Sequence, residues 1–184
     1  MKISMESILI PYCKFQNGYP PKWGFEEVKG KNKHNSRTGL IYGYCSPFYG
    51  KFSIFGQYHY HSRNKNLTFG LVDKNLNLVE NAIYSSLEVY PFNNYCFIGT
   101  LNSKIEDNKG LNNVFLNPKN QIWIKGYEVF PINSSYFAIS NLEESNVKIY
   151  SCNGECIHVF PFALDEKGRK TKMENDSYFF DNVK

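Results

Sequence analysis

Helix-forming filler is the first thing this chain lacks. Alanine occurs three times in 184 residues and leucine is sparse. No segment holds a 3.6-residue apolar stripe for three turns, which excludes a helical bundle. No apolar run reaches the roughly 20 residues that a helix needs to cross a bilayer, so a helical membrane anchor is excluded as well. The opening MKISMESILIPYC is interrupted by Glu6 and is followed by no small-residue cleavage site. The expectation is a soluble, cytoplasmic chain that makes no membrane contact.

Catalytic signatures are also missing. There is no Gly-x-Ser-x-Gly elbow, no glycine-rich loop ending in Lys-Ser/Thr, no His-Glu-x-x-His and no Cys-x-x-Cys. The adjacent pairs Glu26-Glu27 and Glu143-Glu144 would point to opposite sides of an extended chain. They are therefore no acid/base dyad and read as solvated loop. The cysteines number five, an odd count, and Cys13, Cys45 and Cys96 stand singly among apolar or aromatic residues, where a thiol acts as a small hydrophobe. Only Cys152 and Cys156 are close. Asn153-Gly154 between them signals a two-residue hairpin turn that would pair Cys152 with Glu155 and put Cys156 on the other face. Neither a disulfide nor a shared metal follows, and the expectation is reduced thiols, no enzyme and no cofactor.

What the chain has is aromatic residues: 15 Phe and 14 Tyr, 17% with the two tryptophans. From Arg37 onward, short runs rich in β-branched and aromatic residues alternate with Asn, Gly and Asp punctuation, as in KFSIFGQYHY, LTFGLV, QIWIKG and VKIYSC. Turn signals recur about every 8 to 12 residues, the pattern of antiparallel sheet. The expected fold is all-β, built of repeated antiparallel hairpins, in a sandwich or a small propeller-like arrangement of at most about four blades. We read residues 1–184 as one domain, with a basic part over 1–65, hairpin repeats over 66–162 and a polar tail over 163–184. Within that tail, Ser-Tyr-Phe-Phe at 177–180 is expected to dock back on the sheet as a last strand, the alternative being a partner-binding segment.

One phrase recurs. LEVYPFNNYCFIG at 87–99 returns as YEVFPINSSYFAIS at 127–140, and its Val-Phe-Pro core returns in HVFPF at 158–162. Each copy follows a hairpin-like piece: LVDKNLNLV, FLNPKNQIW and IYSCNGECI. The unit reads as a hairpin followed by an extended aromatic-Pro segment leading to the next strand. Proline cannot donate to a ladder, so Pro91, Pro131 and Pro161 belong at strand edges or exits. A unit this small cannot bury its apolar face alone and must stack on its neighbours.

TFGLVDKNLNLVENAIYSSLEVYPF at 68–92 resembles a bacterial WG repeat. Phe69-Gly70-Leu71-Val72-Asp73 stands at the Trp-Gly signature with Phe for Trp, and Val79, Tyr84 and Pro91-Phe92 stand at the later positions. Lys22-Trp23-Gly24-Phe25 carries the literal opening, while the later units have no aromatic-Gly pair. The resemblance implies a non-catalytic surface that binds other proteins, often in bacteria and in several cases beside toxin or secretion systems. It carries over no catalytic residue.

Charge singles out the candidate surface. Residues 1–65 hold 10 Lys and Arg against 3 Asp and Glu, a net +7 in a chain of net +4. Two segments concentrate it: KGKNKHNSR, with Lys29, Lys31, Lys33, His34 and Arg37, and YHYHSRNK, with Tyr58, His59, Tyr60, His61, Arg63 and Lys65. The first has no apolar residue and reads as a solvated loop. His59 and His61 would share a strand face and could hold one edge of a metal site, but no third ligand stands near them, and no metal is expected. Trp23 and Trp123 are candidate interface anchors, although flanking Ile122 and Ile124 argue for a core Trp123.

The expected function is a non-catalytic protein-binding module with an acidic partner. Enrichment in Asn, Lys, Ile and Tyr fits a bacterium with an AT-rich genome. There such a chain would be an immunity protein or inhibitor that neutralises a cytoplasm-acting toxin, for instance a nuclease or an NAD-consuming enzyme. The alternatives are a carbohydrate or other small-ligand binder, which would line one groove with exposed aromatics, and a single-stranded nucleic-acid binder. A total charge of only +4 speaks against the last.

Overall fold

The computed structural model describes residues 8–29, 33–61, 64–103, 111–141 and 144–161; of residues 33, 34, 36, 60, 61, 64 and 65 it describes the backbone alone. The tail 163–184, with its expected last strand, lies outside the described residues. Within them the chain is all-β and has no helix. Fourteen strands follow one another: β1 (Ile8–Gln16), β2 (Tyr19–Lys29), β3 (Lys33–Ser36), β4 (Tyr44–Cys45), β5 (Phe52–His61), β6 (Asn64–Asp73), β7 (Leu78–Val89), β8 (Phe97–Leu101), β9 (Asn113–Asn117), β10 (Ile122–Gly126), β11 (Glu128–Pro131), β12 (Tyr136–Asn141), β13 (Asn146–Ser151) and β14 (Cys156–Pro161). Strands β1–β3, β4–β10 and β11–β14 form three sheets, and in each every strand pairs antiparallel with its neighbour in sequence.

The central sheet folds over on itself. In a flat sheet β5 and β8 would lie about 14 Å apart, three strand spacings. Yet the Phe52 and Phe97 rings on these strands lie 6.5 Å apart. The corner is β7, whose first half pairs with β6 and whose second half pairs with β8, with register shifts on both sides of Tyr84. Such bulges bend a strand and increase its twist. Phe52, Ile54, Leu71, Tyr84, Leu87, Phe97, Val114 and Leu116 fill the fold as one core.

The outer sheets pack on the two backs of this folded sheet. Phe25 of β2 meets Phe55, Val72 and Ala82 on one side. On the other, Phe137 and Ile139 of β12 meet Cys96, Phe115 and Tyr90. Four layers in series therefore enclose three cores. The layering explains the composition of the middle strands: Phe97 and Leu116 face one core while Ile98 and Phe115 face the next, so β8 and β9 are apolar on both faces. Residues 42–45 link the first layer to the second. Trp23 and Tyr42 exchange backbone hydrogen bonds at 2.9 and 3.0 Å, and Tyr44–Cys45 pair with β5.

Three sequence expectations change in detail. The recurring phrase is not an extended exit from a hairpin; it is itself a hairpin, with Leu87 opposite Gly99 and Glu128 opposite Ser140. Pro91 sits in its turn and Pro131 ends the edge strand β11, where a missing N–H leaves no ladder bond unmade. The Asn153-Gly154 turn is one residue longer than expected. Gly154 adopts φ +87°, its N–H donates to the Ser151 carbonyl, and Tyr150 stands opposite Cys156. This is a three-residue loop with a glycine bulge. Cys152 turns inward as a result, and Cys156 is exposed. Finally, Glu26 and Glu27 lie on β2 rather than in a loop, and Glu27 is buried.

Candidate functional site

Both basic segments become hairpin tips. KGKNKHNSR does not stay a loop: Lys33–Ser36 form β3, which pairs with Lys29 back to Glu26. YHYHSRNK spans the ends of β5 and β6, with Tyr60 opposite Lys65 and His61 opposite Asn64. Trp23 and Tyr42 pair antiparallel, and the strand that follows Tyr42 runs antiparallel to β5. Hence β2 and β5 run parallel, and the topology sends both tips to the same end of the molecule. The backbones of Lys33, His34, Tyr60, His61 and Lys65 fall on these arms, and Lys31 and Arg63 lie outside the described residues.

Four of the expected contact residues have structural commitments. The Glu27 carboxylate takes Lys29 at 3.4 Å and Arg37 at 3.3 Å, so two of the cations neutralise a buried acid. Tyr58 is half-buried, and its ring lies where a Cβ on Gly43 would be. His59 is half-buried with Nε2 2.7 Å from the Thr68 hydroxyl. That hydroxyl has a single proton and donates it to the Ala82 carbonyl at 2.7 Å. Nε2–H must therefore be the donor toward Thr68, which takes that one ring nitrogen out of metal binding. Among the described residues no three His, Cys, Asp or Glu converge on a metal position.

Trp123 is placed against expectation. Ile122 and Ile124 are half-buried on the face of β10 turned toward the β11–β14 sheet, while Trp123, opposite Leu116, takes the other face at the mouth of the folded sheet, stays exposed there and donates its indole N–H to the Glu80 carboxylate. A period of two explains this: a residue between two isoleucines that share one face must take the other. Trp23 is half-buried against Tyr44, with ring centroids 5.7 Å apart. The most exposed aromatics among the described residues were not singled out by the sequence reading: Phe15 and Tyr19, 78% and 71% exposed, at the tip of the β1–β2 hairpin. The Asn17-Gly18 turn between them, with Gly18 at φ +79°, was the signal that could have found them.

The repeated turns build a second feature. The β7–β8, β11–β12 and β13–β14 turns border a cleft of about 390 Å³ lined by Asn93, Ser134, Ser135, Tyr136, Asn153 and Glu155, among others. The turn asparagines have matching jobs: Asn93 Oδ1 accepts from the Tyr95 N–H at 3.0 Å, and Asn133 Oδ1 accepts from the N–H groups of Ser135 and Tyr136 at 2.9 and 3.0 Å. Beneath the cleft, the fully buried Tyr90 donates its hydroxyl proton to the Tyr136 carbonyl at 2.6 Å. Burial drives this phenol's pKa upward. Cys96 and Cys152 pack in the same core, and their shared hydrogen bond, together with burial, holds the Cys96 thiol far above the usual thiol range. The same hydrogen bond draws the pKa of the Cys152 thiol, itself buried, downward.

Comparison with known proteins adds no relative: no protein-family model, curated protein or solved structure matches this chain.

Proposed function

We propose that this chain is a non-catalytic protein-binding module whose partner is an acidic surface, and that the partner is a toxin acting in the cytoplasm, which the chain neutralises. The observation that carries the reading is the pair of basic hairpin arms, β2–β3 and β5–β6, directed to one end of the molecule. Two parallel arms that carry most of the basic excess of residues 1–65 form a bidentate probe. Arms anchored in a layered β core lose little conformational entropy on docking. Complementary charge at such tips speeds association and selects the partner.

The test is capture of tagged protein from its native lysate, followed by size exclusion and titration of the purified pair. Reversing Lys31, Lys33 and Arg63 together is expected to weaken the complex by more than about 2 kcal/mol, where their cations are desolvated in it. Arg37 is left out of that set because it pairs with Glu27. Unchanged affinity would remove the arms as the contact surface.

A second reading rests on the cleft between the repeated turns, whose serine, asparagine, tyrosine and glutamate lining suits a small polar ligand such as a sugar. Calorimetry with a panel of monosaccharides decides it. Heat that is lost in Asn153→Ala with Glu155→Ala supports the cleft, and no heat for any sugar removes it.

A further inference from the structure

Two thiols meet where the last two layers of the molecule join. Cys96 stands immediately before β8 in the central sheet, Cys152 immediately after β13 in the next, and both belong to the core of Phe115 and Phe137. The ladder brings them together. Phe97 stands opposite Leu116, so the register carries Asn117 beside Cys96, and the Asn117 side-chain amide donates to the Cys152 carbonyl at 2.8 Å. Each cysteine is also pinned by its own backbone: the Cys96 N–H donates to the Asn93 carbonyl at 3.1 Å, and the Cys152 N–H to the Ser135 carbonyl at 2.7 Å. The two side chains share a hydrogen bond. Only one of the pair can be reached from outside. Cys96 is fully buried, whereas Cys152 is 8% exposed and lines the cleft between the repeated turns. Among the described residues no other two thiols share a core: Cys45 is the single cysteine packed with Phe25, Cys13 is half-buried on β1 and Cys156 is exposed on β14.

We propose that Cys152 and Cys96 are a peroxide-responsive pair, in which Cys152 takes the oxidant at the cleft and Cys96 closes a disulfide with it. The Cys152 sulfur attacks one oxygen of hydrogen peroxide. The O–O bond breaks, the departing hydroxide takes the Cys152 proton as water, and a sulfenic acid remains. The Cys96 sulfur then attacks the sulfur of that group; its S–O bond breaks, and hydroxide leaves with the Cys96 proton as a second water. Two thiols thus give up two electrons and two protons, and one peroxide becomes two waters. The resting chain keeps both thiols free. Cys152 suits the first step because the hydrogen bond from Cys96 favours its thiolate, the form that attacks. Cys96 suits the second because a thiol already in contact captures the sulfenic acid before further oxidation. The bond formed would tie the start of β8 to the end of β13, a covalent link between two layers that closes the chain from 96 to 152.

The test treats the reduced full chain with a small molar excess of hydrogen peroxide, alkylates the remaining thiols at intervals and maps the peptides by mass spectrometry. Cys96 and Cys152 are expected to disappear together into one linked peptide pair, lighter by two hydrogens and restored by dithiothreitol. Cys152 should react roughly tenfold faster than Cys45, which is buried without a thiol neighbour in its core and serves as internal reference. The linked form should melt roughly 5 °C higher than the reduced one. In Cys96→Ser the reaction should stop at a Cys152 sulfenic acid, trapped by dimedone. Mapping of the unaltered chain needs no variant, so a substitution that fails to fold leaves the test standing. Oxidation confined to Cys13 and Cys156, with Cys96 and Cys152 still alkylated, would overturn the proposal. So would a Cys152 that proceeds to sulfinic acid with no link to Cys96.

Discussion

Tyr90 keeps a phenol where the later copies of its phrase have Phe130 and Phe160. The difference follows from its neighbours. Its hydroxyl donates to the Tyr136 carbonyl, lies 3.1 Å from the Asn133 carbonyl and accepts from the Ile132 N–H at 3.2 Å, so the first copy is tied to the turn of the second. Tyr90→Phe should lower stability by about 1–3 kcal/mol, because buried backbone groups lose their partner while the ring still fills its space. The denaturation midpoint should fall with an unchanged denaturant slope. Asn133→Ala should lower it by about 1 kcal/mol, since two turn N–H groups lose their acceptor. The recurrence of Asn after Pro and an apolar residue was visible in the sequence as a repeat. That it reports turn capping rather than a binding motif became visible only when Asn93 and Asn133 were seen to accept from the N–H groups two residues on.

At the scale of elements, the two best copies differ in one respect. In the first, β7 is a single bent strand that pairs back to β6 and forward to β8. In the second, the corresponding stretch is broken at Gly126-Tyr127: β10 pairs back to β9, and β11 pairs forward to β12 in another sheet. Gly126 permits the break. A Cβ there would overlap the Ile139 Cγ2 methyl and lie 3.2 Å from the Ser140 carbonyl, the group that accepts from the Tyr127 N–H. Gly126→Ala should therefore destabilise by about 1–3 kcal/mol. The double variant with Ile139→Ala should be less unstable than the sum of the two, a coupling that chemical denaturation of the four proteins would read. The layers joined there are held by rings: Phe137 stacks on Phe115 at 3.6 Å and faces Tyr150 at 5.5 Å. Phe137→Ala should cost about 3–5 kcal/mol.

For the whole molecule, stacked cores make a pH prediction. Burial pushes the Cys45 thiol from its ordinary 9.0 up to about 12, and burial likewise raises the phenols of Tyr42, Tyr44, Tyr90 and Tyr150. Above pH 9 the unfolded chain loses the Cys45 proton while the folded chain keeps it, so rising pH favours unfolding. The contribution is complete below about pH 9 and is lost progressively up to about pH 12, at up to about 1.4 kcal/mol per pH unit for each fully separated group. Denaturant midpoints measured across this range should fall, and Cys45→Ala should flatten the first part of the decline.

The all-β class, the hairpins of the three units, the placement of the prolines and the free thiols were determined by the sequence itself. Each depends on local chemistry: strand propensity, turn residues, and the inability of proline to donate. The fate of Arg37, Tyr58 and His59 was decided by tertiary structure alone, because Glu27, Gly43 and the Thr68 hydroxyl come from other segments of the chain, whereas Lys29 meets Glu27 along the same strand β2. So was the layering. Alternation tells which residues are apolar on each face of a strand, but not that the central sheet would fold at β7 and give β8 and β9 a second core. Periodicity is a property of one strand, whereas a layer requires knowing which strands face each other, and that information lies in long-range packing.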